Sequence, residues 1–265
     1  MILSSRFLVA VCALAAVSLR LSAAEGTVMK WNVEGVEHKA LVFSPSSGSE
    51  KAPVLFFFHG HGGNMHGIAK GQHFQTLWPE ALIVYPQGLP IATKRDPEGD
   101  KPGWQREPGE LNDRDLKFFD AMISTLSKKY PVDHRRIYVG GFSNGAAFTF
   151  LLWTQRAKTI AAFGPCAGKF PPDTPPKIAR PAFIVAGVKD PLVKIADAKA
   201  SIVEAKRINE CAKEGKPWQV EGAVLYPSEK HLPVVTYIHP GGHEIPQGAN
   251  EMLVRFFKLH ELPEK

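Results

Sequence analysis

An apolar run that ends on Gly141-Phe142-Ser143-Asn144-Gly145 and passes at once into a helical pattern constrains this chain more than anything else in it. Arg136 to Gly140 reads as a strand, and Asn144 to Arg156 reads as a helix. Between them there is room only for a sharp turn. Such a turn forces its central residue into a strained backbone conformation and presents that side chain at the carboxyl edge of a sheet. Gly141, Gly145, Ala146 and Ala147 are all small, as close packing of strand against helix requires. A serine held there lies beside a helix N-terminus, whose partial positive charge favours developing negative charge. The bland alternative is a serine that merely caps the helix.

The rest of the chain supplies the layers this turn needs. Val28 to Val33 and Val36 to Phe43 alternate around Glu34-Gly35 and read as an antiparallel hairpin. Val54 to Phe58 is continuously apolar, as in a strand covered on both faces. Ala81 to Tyr85, Ala182 to Ala186 and Val234 to Ile238 are similar runs. Helical patterns separate them. Asp113 to Lys129 puts Leu116, Phe119, Met122, Ile123 and Leu126 on one face, and Asp197 to Ile208 and Asn250 to Leu259 follow, with Asp197 and Asn250 suited to N-caps. Strands alternating with helices predict an α/β fold with a mainly parallel sheet and helices on both faces. The longest irregular stretch, Gln87 to Asn112, is rich in Pro, Gly and charge, which marks a loop serving a binding site or a mobile one.

Residues 1–24 read as a signal peptide: Arg6 is the positive n-region, Phe7 to Leu19 the apolar run, and Ser22-Ala23-Ala24 the small-residue cleavage site. Residues 25–265 then form a single domain that is secreted or periplasmic, with no membrane span. Removing the leader takes away Arg6 and Arg20 and no acid, so the formal charge of +6 falls to +4. No basic stripe interleaved with aromatics is present, which argues against nucleic acid as a partner. Cys166 and Cys211 remain in the mature chain; in an oxidising compartment they either pair or stay as buried thiols.

His59-Gly60-His61-Gly62-Gly63-Asn64 follows directly on the Val54 to Phe58 strand. A glycine-rich loop there lets the backbone approach a ligand, and acyl transfer needs two N–H donors aimed at the oxyanion. His61 is assigned one donor, with Gly62 as the near alternative, and Asn144, the residue after the serine, the other. His59, His61 and His66 could instead ligate a metal, but Gly62 to Met65 add no carboxylate, so no metal and no cofactor is expected. An acid and then a histidine should follow at the ends of later strands. Asp190 lies four residues beyond Ala186, and His243 stands beyond Val234 to Ile238 on a Gly241-Gly242 turn. Ser143, Asp190 and His243 thus stand in the order of a nucleophile, an orienting acid and a general base, with His239 as the competing base.

Together these pieces resemble the secreted polyhydroxybutyrate depolymerase and feruloyl esterase group of the α/β-hydrolases. The resemblance rests on the H-G-x-G-G-N loop, Tyr85-Pro86-Gln87-Gly88, the run from Val132-Asp133 to Gly145, Gly187 to Asp190 and Gly241-Gly242-His243. It spans nearly the whole mature chain, from about residue 36, and implies an α/β-hydrolase fold with Ser143, Asp190 and His243 catalytic. Two positions depart from that group: His61 stands where a cysteine is common, and Gly103-Trp104 where a Cys-Trp pair is. The expected substrates are small or aromatic carboxylic esters of feruloyl or acetyl type, free or linked to polysaccharide, with Trp104 and Phe142 lining the acyl pocket. Short hydroxyalkanoate esters rank next. A catalytically silent surface-binding protein on the same scaffold is the alternative of a different class.

Overall fold

The computed structural model describes residues 26–46 and 50–264, so the signal peptide expected at residues 1–24 lies outside the described residues. The chain opens with the expected hairpin, β1 (Thr27–Val33) and β2 (Val36–Phe43), and continues into β3 (Ala52–Phe58). Helices α1 (Met65–Gln72) and α2 (Phe74–Leu77) lead to β4 (Leu82–Gln87). Two short strands, β5 (Leu89–Pro90) and β6 (Pro102–Gly103), pair within the long loop. Then follow α3 (Arg114–Lys129), β7 (Val132–Phe142), α4 (Asn144–Arg156), β8 (Ala162–Cys166), β9 (Ala182–Gly187) and α5 (Ile195–Ile208). The chain closes with β10 (Lys216–Trp218), β11 (Val220–Tyr226), β12 (Val234–His239) and α6 (Ala249–Lys258).

Ten strands form one sheet in the order β1-β2-β4-β3-β7-β8-β9-β12-β11-β10. Its centre, from β4 to β12, is parallel, and both margins are antiparallel. Side chains alternate across it. Val54, Phe56 and Phe58 of β3 enter one core with residues of α3, α4 and α5, while Leu55 and Phe57 enter the other with residues of α1, α2 and α6. Complete burial of β3 explains why its sequence is apolar without a break.

The chain passes from β3 to β4 on one side and returns to place β7 on the other. Such a reversal of strand order leaves a crevice at the carboxyl ends of the flanking strands, where ligands of open α/β sheets bind. The loop after β3 and the turn after β7 meet there.

Two expectations need correction. Asp197 and Asn250 do not cap their helices: the caps are Lys194 and Gly248, three and two residues earlier than the polar signals suggested. Asp197 sits in the first turn instead, where its charge still suits the helix dipole. The periodicity also passes over β8. Its sequence, Ala-Phe-Gly-Pro-Cys, carries little strand preference, and its place between β7 and β9 decides its conformation.

Candidate active site

Ser143 joins β7 to α4 with φ 57° and ψ −116°, a region that side chains rarely occupy. Its N–H donates to the Cys166 carbonyl at 2.9 Å, which fixes the turn against β8. Gly145 is obligatory: a Cβ there would run into the carbonyls of Phe58 and His59, so helix and strand could not approach. The sequence thus spends its two elbow glycines on contact between α4 and the sheet, while the strain falls on the serine.

The Ser143 hydroxyl lies 2.7 Å from His243 Nε2, and His243 Nδ1 lies 2.7 Å from Asp190 Oδ2. The turns carrying the acid and the histidine are stitched together by their backbones. Val188 N–H donates to the His239 carbonyl and Lys189 N–H to the Gly241 carbonyl, both at 2.9 Å. Asp190 Oδ1 accepts from the Leu192 and Val193 N–H groups at 2.7 and 2.9 Å. Burial works to raise the Asp190 carboxyl, but the Val193 N–H, the His243 ring and the Leu192 N–H outweigh it and hold it below the usual carboxylate range. It therefore stays ionised opposite the imidazole. His239, the competing base, is buried, and its Nδ1 accepts the Gly241 N–H at 3.2 Å. It props the turn that carries His243.

On the other side of Ser143 the loop after β3 is built around His59. Gly88 N–H donates to His59 Nε2 at 2.9 Å, so the ring proton sits on Nδ1, which donates to the Gly60 carbonyl at 2.7 Å. Gly63 N–H donates to the same carbonyl at 2.9 Å. With the Gly60 oxygen pinned and the peptide trans, the His61 N–H must point to the opposite side. The N–H of Gly62, the alternative donor, is already given to the Pro102 carbonyl at 2.8 Å. Asn144 is clamped through its side chain, accepting the Trp104 N–H at 2.7 Å and donating to the Trp104 carbonyl at 3.0 Å. Its own N–H begins α4, where no carbonyl lies one turn back to receive it.

The histidines weighed as metal ligands are not brought together. His59 spends both ring nitrogens on the backbone, His61 turns toward Asp96 at 3.3 Å, and His66 is exposed on α1. Among the described residues no group of three His, Cys, Asp or Glu is arranged to hold a metal ion. Cys166 and Cys211 are both free.

A cavity of about 560 Å³ opens over Ser143, with Phe142, Ala147, Leu192 and Val193 as its apolar wall. Phe142 lines it. Trp104 does not, and that expectation is corrected. Its indole is wholly buried, stacks on Phe148 and donates to the His59 carbonyl at 2.9 Å. Packed between Phe58 and Phe148, Trp104 anchors the loop and leaves the cavity to others. Leu192 and Val193, two and three residues after Asp190, were missed. Only their place after the acid could have flagged them, since apolar residues in a turn carry no chemical signature of their own. A separate cavity of about 660 Å³, lined in part by His134, Lys158 and Pro263, lies apart from these residues.

The family model for phospholipase/carboxylesterase matches residues 39–222. A bifunctional acetylxylan esterase/xylanase of Neocallimastix patriciarum is 29% identical over 137 residues, which cover 51% of this chain and 18% of that protein. Feruloyl esterase D of Neurospora crassa is 28% identical over 152 residues, covering 54% of this chain and 49% of that one. The chain spans less than half the length of these curated relatives. Among solved structures, an acetyl xylan esterase from Aspergillus awamori superposes with a TM-score of 0.69 at 12% identity, over 87% of this chain and 99% of that one.

Proposed function

This chain belongs to the phospholipase/carboxylesterase family and has the α/β-hydrolase fold, and from that premise we propose that it is an exported serine esterase acting through Ser143, His243 and Asp190. The observation that carries this reading is the continuous pair of 2.7 Å contacts from the Ser143 hydroxyl through His243 to Asp190, at a serine held with positive φ.

The chemistry follows from those contacts. His243 Nε2 takes the hydroxyl proton as Ser143 Oγ attacks the ester carbonyl, while Asp190 holds the proton on Nδ1 and stabilises the imidazolium. Negative charge collects on the former carbonyl oxygen. The N–H groups of His61 and Asn144 receive it, one oriented by the pinned Gly60 carbonyl and the other by the start of α4. Collapse of the intermediate expels the alcohol, which takes the proton from His243. Water then attacks the acyl-enzyme by the same route and frees Ser143.

The substrates are small or aromatic carboxylic esters of feruloyl or acetyl type, on a small molecule or on plant polysaccharide. The relatives named as feruloyl and acetylxylan esterases support this, as does a cavity walled by Phe142, Leu192 and Val193. Residues 1–24 act as the export leader, and residues 25–265 are the catalytic domain. Labelling with a fluorophosphonate, followed by peptide mapping, tests the reading: the adduct belongs on Ser143. Folded protein that takes no label, or takes it on another serine, overturns it. A panel of feruloyl, acetyl and hydroxybutyryl esters then ranks the acyl groups.

A further inference from the structure

The loop from Gln87 to Asn112 carries four Lys or Arg and five Asp or Glu, so its composition gives no sign of charge preference. The fold separates them. Lys94, Arg95 and Arg106 of this loop line the cavity over Ser143, joined by Lys169 from the segment after β8. No carboxylate is among the residues that line the cavity.

The acids are used elsewhere. Asp96 is buried behind the wall, where its Oδ2 accepts the Lys101 N–H and faces the His61 ring. Glu110 holds the Arg106 guanidinium at 2.6 Å, and Asp197 holds Lys169 at 3.1 Å. These two pairings neutralise much of the charge on Arg106 and Lys169. Lys94 and Arg95 have no carboxylate within salt-bridge distance among the described residues. Two exposed cations thus line the cavity with no carboxylate paired to them among the described residues. Neutral esters would gain nothing from that arrangement. A cleft of one sign, with apolar walls that focus the field, raises the local concentration of oppositely charged ligands.

We propose that the cavity selects esters that carry a second, negatively charged group, held by Lys94 and Arg95 while the ester carbonyl lies over Ser143. The inference rests on the esterase reading above and adds the charge of the substrate to it. The anion has two sources, the acyl half or the alcohol half, the latter being the case for an ester on a uronate-bearing sugar chain.

The test compares kcat/KM within matched pairs. In the acyl arm the pair is the para-nitrophenyl ester of butyric acid and the mono-para-nitrophenyl ester of succinic acid. In the alcohol arm it is an acetylated xylo-oligosaccharide with and without a glucuronic acid branch. The readout is the anionic-to-neutral ratio, so a general loss of folding or chemistry cancels. We expect a ratio of about tenfold or more in at least one arm at low ionic strength, falling toward one in about 0.5 M salt, where screening acts within a few ångströms. The arm that responds identifies the half bearing the charge. In the double variant Lys94→Glu/Arg95→Glu the ratio should fall below one, and in Lys94→Gln/Arg95→Gln it should approach one. Neutral esters turned over with a ratio at or below one in both arms, unmoved by salt or by the variants, would overturn this inference alone. No turnover of any ester together with unlabelled Ser143 would overturn the esterase reading and this inference with it.

Discussion

Five residues make the turn that presents Ser143, and twenty-six, from Gln87 to Asn112, make another part of the same site. The two are held in different ways. The elbow is fixed by its own backbone: β7 enters it, α4 leaves it, and the Ser143 N–H closes on β8. The loop is fixed by side chains reaching it from α3 and from within. Arg114 donates to the carbonyls of Leu89 and Pro90. Gln105 accepts from the N–H groups of Asp115 and Leu116, and Asp115 accepts the Gln105 N–H at 2.7 Å. A long loop pinned at so many points is a wall of the site rather than a mobile lid. Where local backbone rules decide a geometry, a short motif suffices to announce it. Where partners distant in sequence decide it, composition alone misleads, as it does for the charges of this loop and for Trp104.

The largest effect should come from the histidine that faces the elbow serine. His243→Ala is expected to lower kcat by about 10⁴-fold or more, since the members of such a unit act together. The unfolding midpoint should barely move, because the ring lies at the surface of the cavity. His239→Ala should be far milder in turnover, since that ring supports the turn from behind. Steady-state kinetics and thermal unfolding on both variants check this, and a reversed order would transfer the base to the end of β12.

Trp104→Ala probes the loop. Removing a large aromatic side chain from a packed core costs about 3–5 kcal/mol, and here it also frees the His59 carbonyl and unstacks Phe148. Activity on feruloyl and acetyl esters should drop by the same factor, as the clamp on Asn144 slackens. A loss confined to aromatic esters would show that the indole reaches substrate and that the loop moves to let it.

Much of this molecule can be read from residue order because so much of it is punctuation at strand ends. The hairpin of β1 and β2 and the helices α3 to α6 follow from periodic patterns, and the central strands β3, β4, β7, β9 and β12 from continuous apolar runs. Ser143, Asp190 and His243 were legible because each stands a few residues past such a run, and the structure brings their side chains within hydrogen-bond distance. The margin made by β10 and β11 was not. β10 is short and both are largely exposed, and pairing with a neighbouring strand, β10 with β11 and β11 with β12, rather than their own pattern makes them strands. Nor does any local signal say that Gly88 would fix the tautomer of His59, or that Gly62 would lose its N–H to Pro102. Both bonds join the loop after β3 to residues some 29 and 40 positions on.

Acid should separate the two sides of the site a final time. Burial, opposed by the bond to Gly60 and reinforced by His61, brings the His59 ring down to about 4 from an ordinary 6.5. Between those values the unfolded chain holds a proton that the folded ring does not, so stability declines as pH falls through that window. Each such histidine contributes a slope of up to about 1.4 kcal/mol per pH unit. Burial brings His38 and His260 down to about 4 as well, so the decline is shared. Asp190 behaves differently. Its folded carboxyl is held below its ordinary value of 3.8, so its contribution is fully present above that value and is lost only as pH falls further, through the depressed folded value. The loop side should therefore weaken first, from pH 6.5 toward 4, and the acid arm only below about 4. Urea unfolding at several pH values, in the parent protein and in His59→Asn, measures this. Asparagine can still donate to the Gly60 carbonyl but does not titrate, so the variant should be less stable at neutral pH with a shallower slope between 6.5 and 4. An unchanged slope would mean that His59 takes up its proton without disturbing the fold, and that the bond from Gly88 does not hold the ring neutral.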